Sequence, residues 1–394
     1  MIDPKDILGR FPLEHFLETA ERYFQTVSDP TPLMSKPFTY LNETPEMLIN
    51  MGLLLSGLRL GKTMTVLDFG AGTCWLSRFL AQLHCQTISF DVSKTALDIG
   101  RRLFAEYPLI GGALYEPVFL HFDGRRIELA DETVDRIVCF DAFHHVPNVD
   151  EVLAELGRVL KTGGIAGFSE PGPHHSQTPA SQYEMANHRV LENDIRLGEI
   201  FASAQKAGFT GISCKMLCDK DLSLRDYEAI VSRDEKEPLK SEVWSNIVGT
   251  MSNKTVFFLH KGEYLPDSRS HVGLAHELEV EGKIFVVRRG EKLGLTFRLA
   301  NTGTAAWLAT NTQIFGIVRL ASHIYDGTGK LISVDHSRHD LPRMVRPGES
   351  LSLSIEVPLP GPGSFRLAFD LVAEGVTWFE NVGSKPVTVE VEMR

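Results

Sequence analysis

Thr65-Val66-Leu67-Asp68-Phe69-Gly70-Ala71-Gly72-Thr73-Cys74-Trp75 is the stretch whose reading decides the fold. A short β-rich apolar run ends in a carboxylate and two glycines, and a segment of helical period, Trp75–Leu83, follows. A strand, a tight turn and a helix in this order form the first unit of a mainly parallel sheet covered by helices. The alternation continues downstream. Further strands are expected at Gln86–Asp91, Val118–Asp123, Val134–Asp141 and Gly164–Glu170, with helices at Thr95–Tyr107 and Val149–Leu160. The last helix is expected to stop at the glycines of Lys161-Thr162-Gly163-Gly164. Two later runs, Gly211–Leu217 and Thr255–Lys261, follow the helical stretch Asp194–Ala207 and would bring the sheet to seven strands.

Outside this segment the texture changes twice. Residues 1–60 hold amphipathic helices at Leu13–Gln25 and Thr44–Leu58 around a Pro-rich stretch at Asp29–Pro37, and read as a helical lid. The sheet-forming domain occupies 61–263. From 270 to 394 period-two strands dominate, among them Lys292–Leu299, Ile314–Ile324, Ser350–Val357 and Ser364–Val372, separated by Gly, Pro and Asn turns. That length and turn spacing fit an immunoglobulin-like β-sandwich better than a closed barrel.

Composition narrows the partners. The 394 residues carry a net charge of −11 without a basic stripe, a field that repels nucleic acid. No run approaches the ~18 apolar residues of a membrane span. The start, Met-Ile-Asp-Pro-Lys-Asp, lacks a secretory signal, so a cytoplasmic location is expected. Five cysteines, Cys74, Cys85, Cys139, Cys214 and Cys218, are odd in number and scattered through apolar runs, which suits reduced core thiols. Cys214 and Cys218 have no second pair to complete a zinc site.

The glycine turn at the carboxyl end of a strand implies a nucleotide-like ligand. A dinucleotide fingerprint needs a third small residue where Trp75 stands, so nicotinamide binding is disfavoured. Asp68, just before Gly70 and Gly72, suits a ligand that carries cationic groups. Asp91 ends the second strand, where a carboxylate accepts from two ribose hydroxyls. Phe122-Asp123-Gly124 ends the third strand; there Asp123 is expected to accept from an adenine amino group between apolar neighbours. The run Asp141-Ala142-Phe143-His144-His145-Val146 places polar groups at the end of the fourth strand, where donor and acceptor should meet.

In order and spacing, Val66 to Thr73, Asp91, Phe143-His144-His145-Val146-Pro147 and Arg158-Val159-Leu160-Lys161-Thr162-Gly163-Gly164 resemble the class I methyltransferases, in their small-molecule branch. The resemblance covers about residues 36–261. It implies a Rossmann-like sheet with a reversed edge strand, S-adenosylmethionine as cofactor, and cofactor roles for Asp68, Gly70, Gly72, Asp91 and Asp123. Gly124 and Asp141 join them by position, and Tyr40 is expected to close over the methionine end. Methyl displacement needs alignment above all, with a base only for a hydroxyl or ammonium acceptor. His145 is the first candidate base, with His144 beside it and Glu170 lining the acceptor pocket.

His174, His175 and Tyr183 continue that loop as substrate contacts. Glu170, His174 and His175 could hold a divalent ion, but no second carboxylate lies nearby in sequence, so no metal is expected. The Phe168-Ser169-Glu170-Pro171-Gly172 and Val190-to-Ile195 segments resemble enzymes of bacterial polysaccharide biosynthesis, which points the acceptor towards a saccharide hydroxyl. In the β-domain Trp307 and Trp378 are either glycan platforms or core residues of a module for docking or homo-oligomer formation. The competing expectation is a non-catalytic glycan-binding or assembly protein that keeps the cofactor as a structural ligand.

Overall fold

The computed structural model describes residues 1–61, 63–217, 224, 241–263, 265–309 and 315–394. Cys218 and the expected strand start at Ile314 lie outside the described residues. The chain forms two compact units, 1–264 and 265–394.

The first unit opens with helices α1 (Pro4–Leu8), α2 (Leu13–Thr26), α3 (Thr31–Met34) and α4 (Thr44–Leu58). Strands β1 (Thr65–Phe69) and β2 (Gln86–Asp91) flank α5 (Trp75–Gln82), and α6 (Lys94–Glu106) leads to β3 (Val118–His121) and β4 (Val134–Phe140). Then come α7 (Val149–Val159), β5 (Leu160–Pro171), α8 (Pro179–Asn187), α9 (Leu197–Lys206), β6 (Phe209–Lys215), α10 (Ser241–Asn253) and β7 (Lys254–Lys261). The seven strands lie in the order β3-β2-β1-β4-β5-β7-β6. β1 to β5 pair in parallel, and β7 runs antiparallel between β5 and β6. The order reverses at β1 and β4, so their carboxyl ends diverge into the crevice where ligands of open α/β sheets bind.

Period-two alternation sorts the core. Val66, Val138, Ile165, Val256 and Phe258 face Leu54 and Leu58 of α4, Trp75 and Leu80 of α5, and Ile99 and Leu103 of α6. Their sequence neighbours Leu67, Ile137, Ala166, Phe257 and Leu259 face Leu153 and Leu156 of α7 and Ile200 of α9. Leu67 is completely buried, which stabilises by about 2 kcal/mol for a side chain of its size. Helix α7 does not end at the glycines: Leu160 already has extended dihedrals and pairs with Val134, because the strand register captures the chain before Gly163 is reached. Cys74 and Cys139 are buried core thiols, and Cys74 packs against Gly100 of α6.

The second unit is all strand. β8 (His276–Val280), β10 (Leu293–Asn301) and β13 (Ser350–Val357) make a three-stranded sheet; β9 (Ile284–Val287), β11 (Val318–Asp326), β12 (Leu331–Asp340), β14 (Gly363–Ala373) and β16 (Val387–Met393) join β15 (Thr377–Trp378) in the other. Phe297 of β10 and Phe369 of β14 meet at 4.8 Å, so the two sheets share one core. Trp307 is fully buried there and cannot serve as a sugar platform. Trp378 is half-buried, against His323 at 4.3 Å.

Candidate functional site

The glycine turn takes the shape its residues permit. Gly70 (φ +69°) and Gly72 (φ +52°) are left-handed, and a Cβ on Gly70 would stand 2.3 Å from that of Ala142, beyond β4. Only glycine lets the two strand ends come this close. The Gly70 and Ala71 amides donate to the Phe90 carbonyl, and Gly72 N donates to Asp91 Oδ2 at 2.8 Å. Asp91 Oδ1 accepts from Ser93 N, also at 2.8 Å.

Asp68 sits behind this turn rather than in its mouth. It is 2% exposed, and its Oδ2 accepts from Ser77 Oγ at 2.6 Å, which in turn accepts from Ser89 Oγ. Burial pushes the Asp68 carboxyl up to about 7 and also raises that of Asp91. Among the described residues no lysine or arginine pairs with either carboxylate.

Beyond β2 and β3 a cavity of about 460 Å³ is lined by Val92, Phe122 and Asp123 and by Leu17 and Glu21 of α2. Asp123 Oδ1 accepts from the amides of Arg125 and Arg126, which shape the turn and hold its pKa below the usual value. Helix α2 covers the site through Leu13 and Leu17 over Gly124 and Phe24 over Gly72. Glu21 ties it down, accepting from Ser93 Oγ (2.7 Å) and Thr95 Oγ1 (2.6 Å) at the start of α6. Tyr40, expected over the methionine end, is 53% exposed. The contact from that segment is instead the Leu33 carbonyl, which accepts from Thr73 Oγ1. This donor set fits S-adenosylmethionine: uncompensated buried negative charge for its cationic end, free lone pairs on Asp91 for the ribose, and an apolar slot beside Asp123 for the adenine.

At the other end of the crevice Glu170 plays a different part from the one expected. It is fully buried on β5, and its oxygens accept from the amides of Ala142 (3.0 Å), Phe143 (2.9 Å) and His144 (3.2 Å) and from His144 Nδ1 (2.7 Å). The 3₁₀ turn at Phe143–His145 leaves its first amides without helical partners, and this carboxylate satisfies them. Burial opposes its ionisation, yet the His144 bond and the amides prevail and hold it at about 2; His144 is raised in return. Glu170 is therefore a positioning residue.

His145 Nδ1 donates to the Leu191 carbonyl at 2.7 Å, which fixes the tautomer and leaves Nε2 as the acceptor. Although 43% of its side chain stays exposed, the surrounding protein and the neighbouring His144 push its pKa down to about 4. That is a weaker base than an ordinary imidazole. The His144 ring lies 3.9 Å from that of His145 and 5.0 Å from that of His175. His175 Nε2 meets Glu192 Oε2 at 2.6 Å, and Ser181 Oγ reaches the same oxygen at 3.3 Å.

His174 and Tyr183, the other expected substrate contacts, are exposed and outside this cluster; Tyr183 faces His188. Asp141, at φ +51°, is engaged by the Lys254 ammonium of β7. Sequence reasoning missed Glu192, Ser181, Lys254 and Glu21. A carboxylate on the polar face of an amphipathic helix, such as Glu21, looks like any solvated one. Glu192 stood in a segment singled out for other reasons, seventeen residues beyond its partner.

Residues 67–168 match the family described as "Methyltransferase domain". Over 103 residues the chain is 30% identical to an uncharacterized methyltransferase of Schizosaccharomyces pombe, covering 26% of this chain and 36% of that one. Over 142 residues it is 30% identical to a ubiquinone/menaquinone biosynthesis C-methyltransferase of Cellvibrio japonicus, covering 34% and 53%. A solved structure of Haemonchus contortus phosphoethanolamine N-methyltransferase 2 with S-adenosyl-L-methionine aligns with a TM-score of 0.40 at 17% identity, covering 67% of this chain and 61% of that one. The chain spans about a third to a half of the length of these curated relatives. The stretch that matches this family contains the glycine turn, Asp91 and the His144-His145 pair.

Proposed function

We propose that the protein is an S-adenosylmethionine-dependent methyltransferase whose acceptor is a hydroxyl of a saccharide or sugar-linked small molecule. The observation that carries the reading is the methyltransferase-domain match, which falls on the residues that build the glycine turn and its buried carboxylates. Bound in this crevice, S-adenosylmethionine supplies a methyl group activated by its sulfonium. Asp68 supplies negative charge behind the turn, Asp91 takes the ribose hydroxyls, and Val92, Phe122 and Asp123 receive the adenine. Helix α2 excludes water from the crevice through Phe24 and Leu17.

Glu170 and His144 hold the 143–145 turn, and His145 presents an unprotonated Nε2 to the acceptor. The chain's contribution is chiefly alignment. The Cellvibrio japonicus relative acts on carbon by its description, so the acceptor atom is not carried over from it. The polar His/Glu cluster and the resemblance to enzymes of polysaccharide biosynthesis favour a hydroxyl. We read the unit 265–394 as an immunoglobulin-like accessory module for docking or homo-oligomer formation, and the protein as cytoplasmic.

Calorimetry with S-adenosylhomocysteine tests the cofactor reading, and no heat at millimolar ligand overturns it. Radiolabelled methyl transfer to a panel of saccharides, amines and quinols tests the acceptor; label on amines or ring carbons alone would overturn the hydroxyl.

A further inference from the structure

The second carboxylate absent from the sequence neighbourhood of the histidines is present in space. His144, His145 and Glu192 each offer a ligand atom, and the three atoms lie within 4.8 Å of one another. Each of the three also has hydrogen-bond partners that orient it. His144 Nδ1 is held by Glu170 (2.7 Å) and His145 Nδ1 by the Leu191 carbonyl (2.7 Å). No described residue hydrogen-bonds Nε2 of either ring. Glu192 Oε2 is held by His175 Nε2 and Ser181 Oγ, while Oε1 lies on the His145 side, 3.8 Å from Nδ1.

Imidazoles tied through one nitrogen to a carboxylate or a backbone carbonyl, beside a carboxylate tied through one oxygen, are the arrangement that outer partners impose on metal ligands. Two histidines and one carboxylate with open positions suit a divalent first-row transition ion. Glu170 and Glu192 together supply two negative charges, enough to balance such an ion in a site where both carboxylates are buried. Ligand atoms around tetrahedral zinc stand about 3.4 Å apart, so the widest pair must close by up to about 1.4 Å. The half-exposed His145 ring has room to turn.

We propose that His144, His145 and Glu192 form a binding site for a divalent transition-metal ion, with Glu170, the Leu191 carbonyl, His175 and Ser181 as the groups that orient the ligands. With the ion bound His145 is a ligand rather than a base, and the three protein ligands leave coordination positions for an oxygen of the acceptor; that step rests on the methyltransferase reading, whereas the ion site does not.

The test uses the full chain, stripped with a chelator and titrated with Co²⁺ alone and with Zn²⁺ alone, following the visible Co²⁺ bands and the heat. The expected result is about one equivalent bound at sub-millimolar metal, weakened at least about tenfold in His145→Ala and in Glu192→Gln, and unchanged in His174→Ala. Absence of Co²⁺ and Zn²⁺ binding, or equal binding in wild type and both ligand variants, overturns the proposal. If Glu192→Gln fails to fold, the exposed His145→Ala decides alone. S-Adenosylhomocysteine affinity is measured on the same samples: retained without metal binding, it leaves the methyltransferase reading standing and removes only the ion.

Discussion

Two pairs of buried carboxylates stand at one edge of one sheet and have opposite electrostatics. Asp68 and Asp91, at the ends of β1 and β2, are raised because burial outweighs the hydrogen bonds they accept from Ser77, Gly72 and Ser93. Glu170 and Glu192, at the end of β5 and in the loop before α9, are lowered although burial opposes it, because imidazoles and hydrogen-bond donors face them. A cationic ligand would relieve the burial of the first pair; the second pair already shares its charge with imidazoles and amides, and an ion at the His144-His145 cluster would draw on the same charge. Burial alone therefore does not mark a ligand site. Burial that outweighs the internal partners, as at Asp68 and Asp91, is one mark of such a site.

The comparison breaks first at Glu170. Glu170→Ala leaves three amides and a buried imidazole without their acceptor, so the first unit should lose about 3–5 kcal/mol, read as an earlier first transition in urea. A loss below about 1 kcal/mol would mean the carboxylate is not the anchor described.

The other pair should behave in the reverse way. Asp91→Ala is expected to weaken S-adenosylhomocysteine about 10- to 100-fold by calorimetry, since charged hydrogen bonds are worth about 1.5–3 kcal/mol each. Asp68→Asn should leave the ligand-free melting temperature unchanged or higher, because it removes a buried charge.

The pH dependence sharpens the contrast. The Asp68 pKa is raised in the folded state, from an unfolded value near 3.8 to about 7. The folded state therefore binds the proton more tightly, and the ligand-free unit loses stability from this group as pH rises through that window. A cationic ligand favours the ionised form. S-Adenosylmethionine affinity should thus rise with pH, by up to about tenfold per unit, and level off above 7. Asp68→Asn should flatten that slope; an unchanged slope would assign the dependence elsewhere.

The smallest effect concerns the lid. Glu21→Ala should cost about 1 kcal/mol in the docking of α2, seen as faster amide exchange in that helix while the sheet's exchange is unaltered.

Much of the fold could be read from the residues because strands and helices announce themselves by local period. Thr65–Phe69, Gln86–Asp91 and Thr44–Leu58 fall where the pattern puts them. The start of β5 did not: expected at Gly164, it begins at Leu160, because pairing with Val134 is a register that no local window contains. The site divides along the same line. Gly70, Gly72 and Asp91 form one local unit, and their spacing carries their geometry. Glu170 looked like a pocket residue because its neighbours His144 and His145 are 26 and 25 positions away, and only folding shows that it faces the turn from below.

By itself the sequence determined the order of strands and helices, the glycine turn and its acidic flanks, and the break in texture before the β-rich unit. These depend on backbone freedom and on periodicities of two and 3.6 residues, both short-range properties. Tertiary structure alone decided which carboxylates are paired, that Trp307 is core, and that Glu192 joins two histidines nearly fifty positions before it. Partnership across such separations is fixed by sheet order and loop closure, and the electrostatic character of a carboxylate follows from its partners rather than from its name.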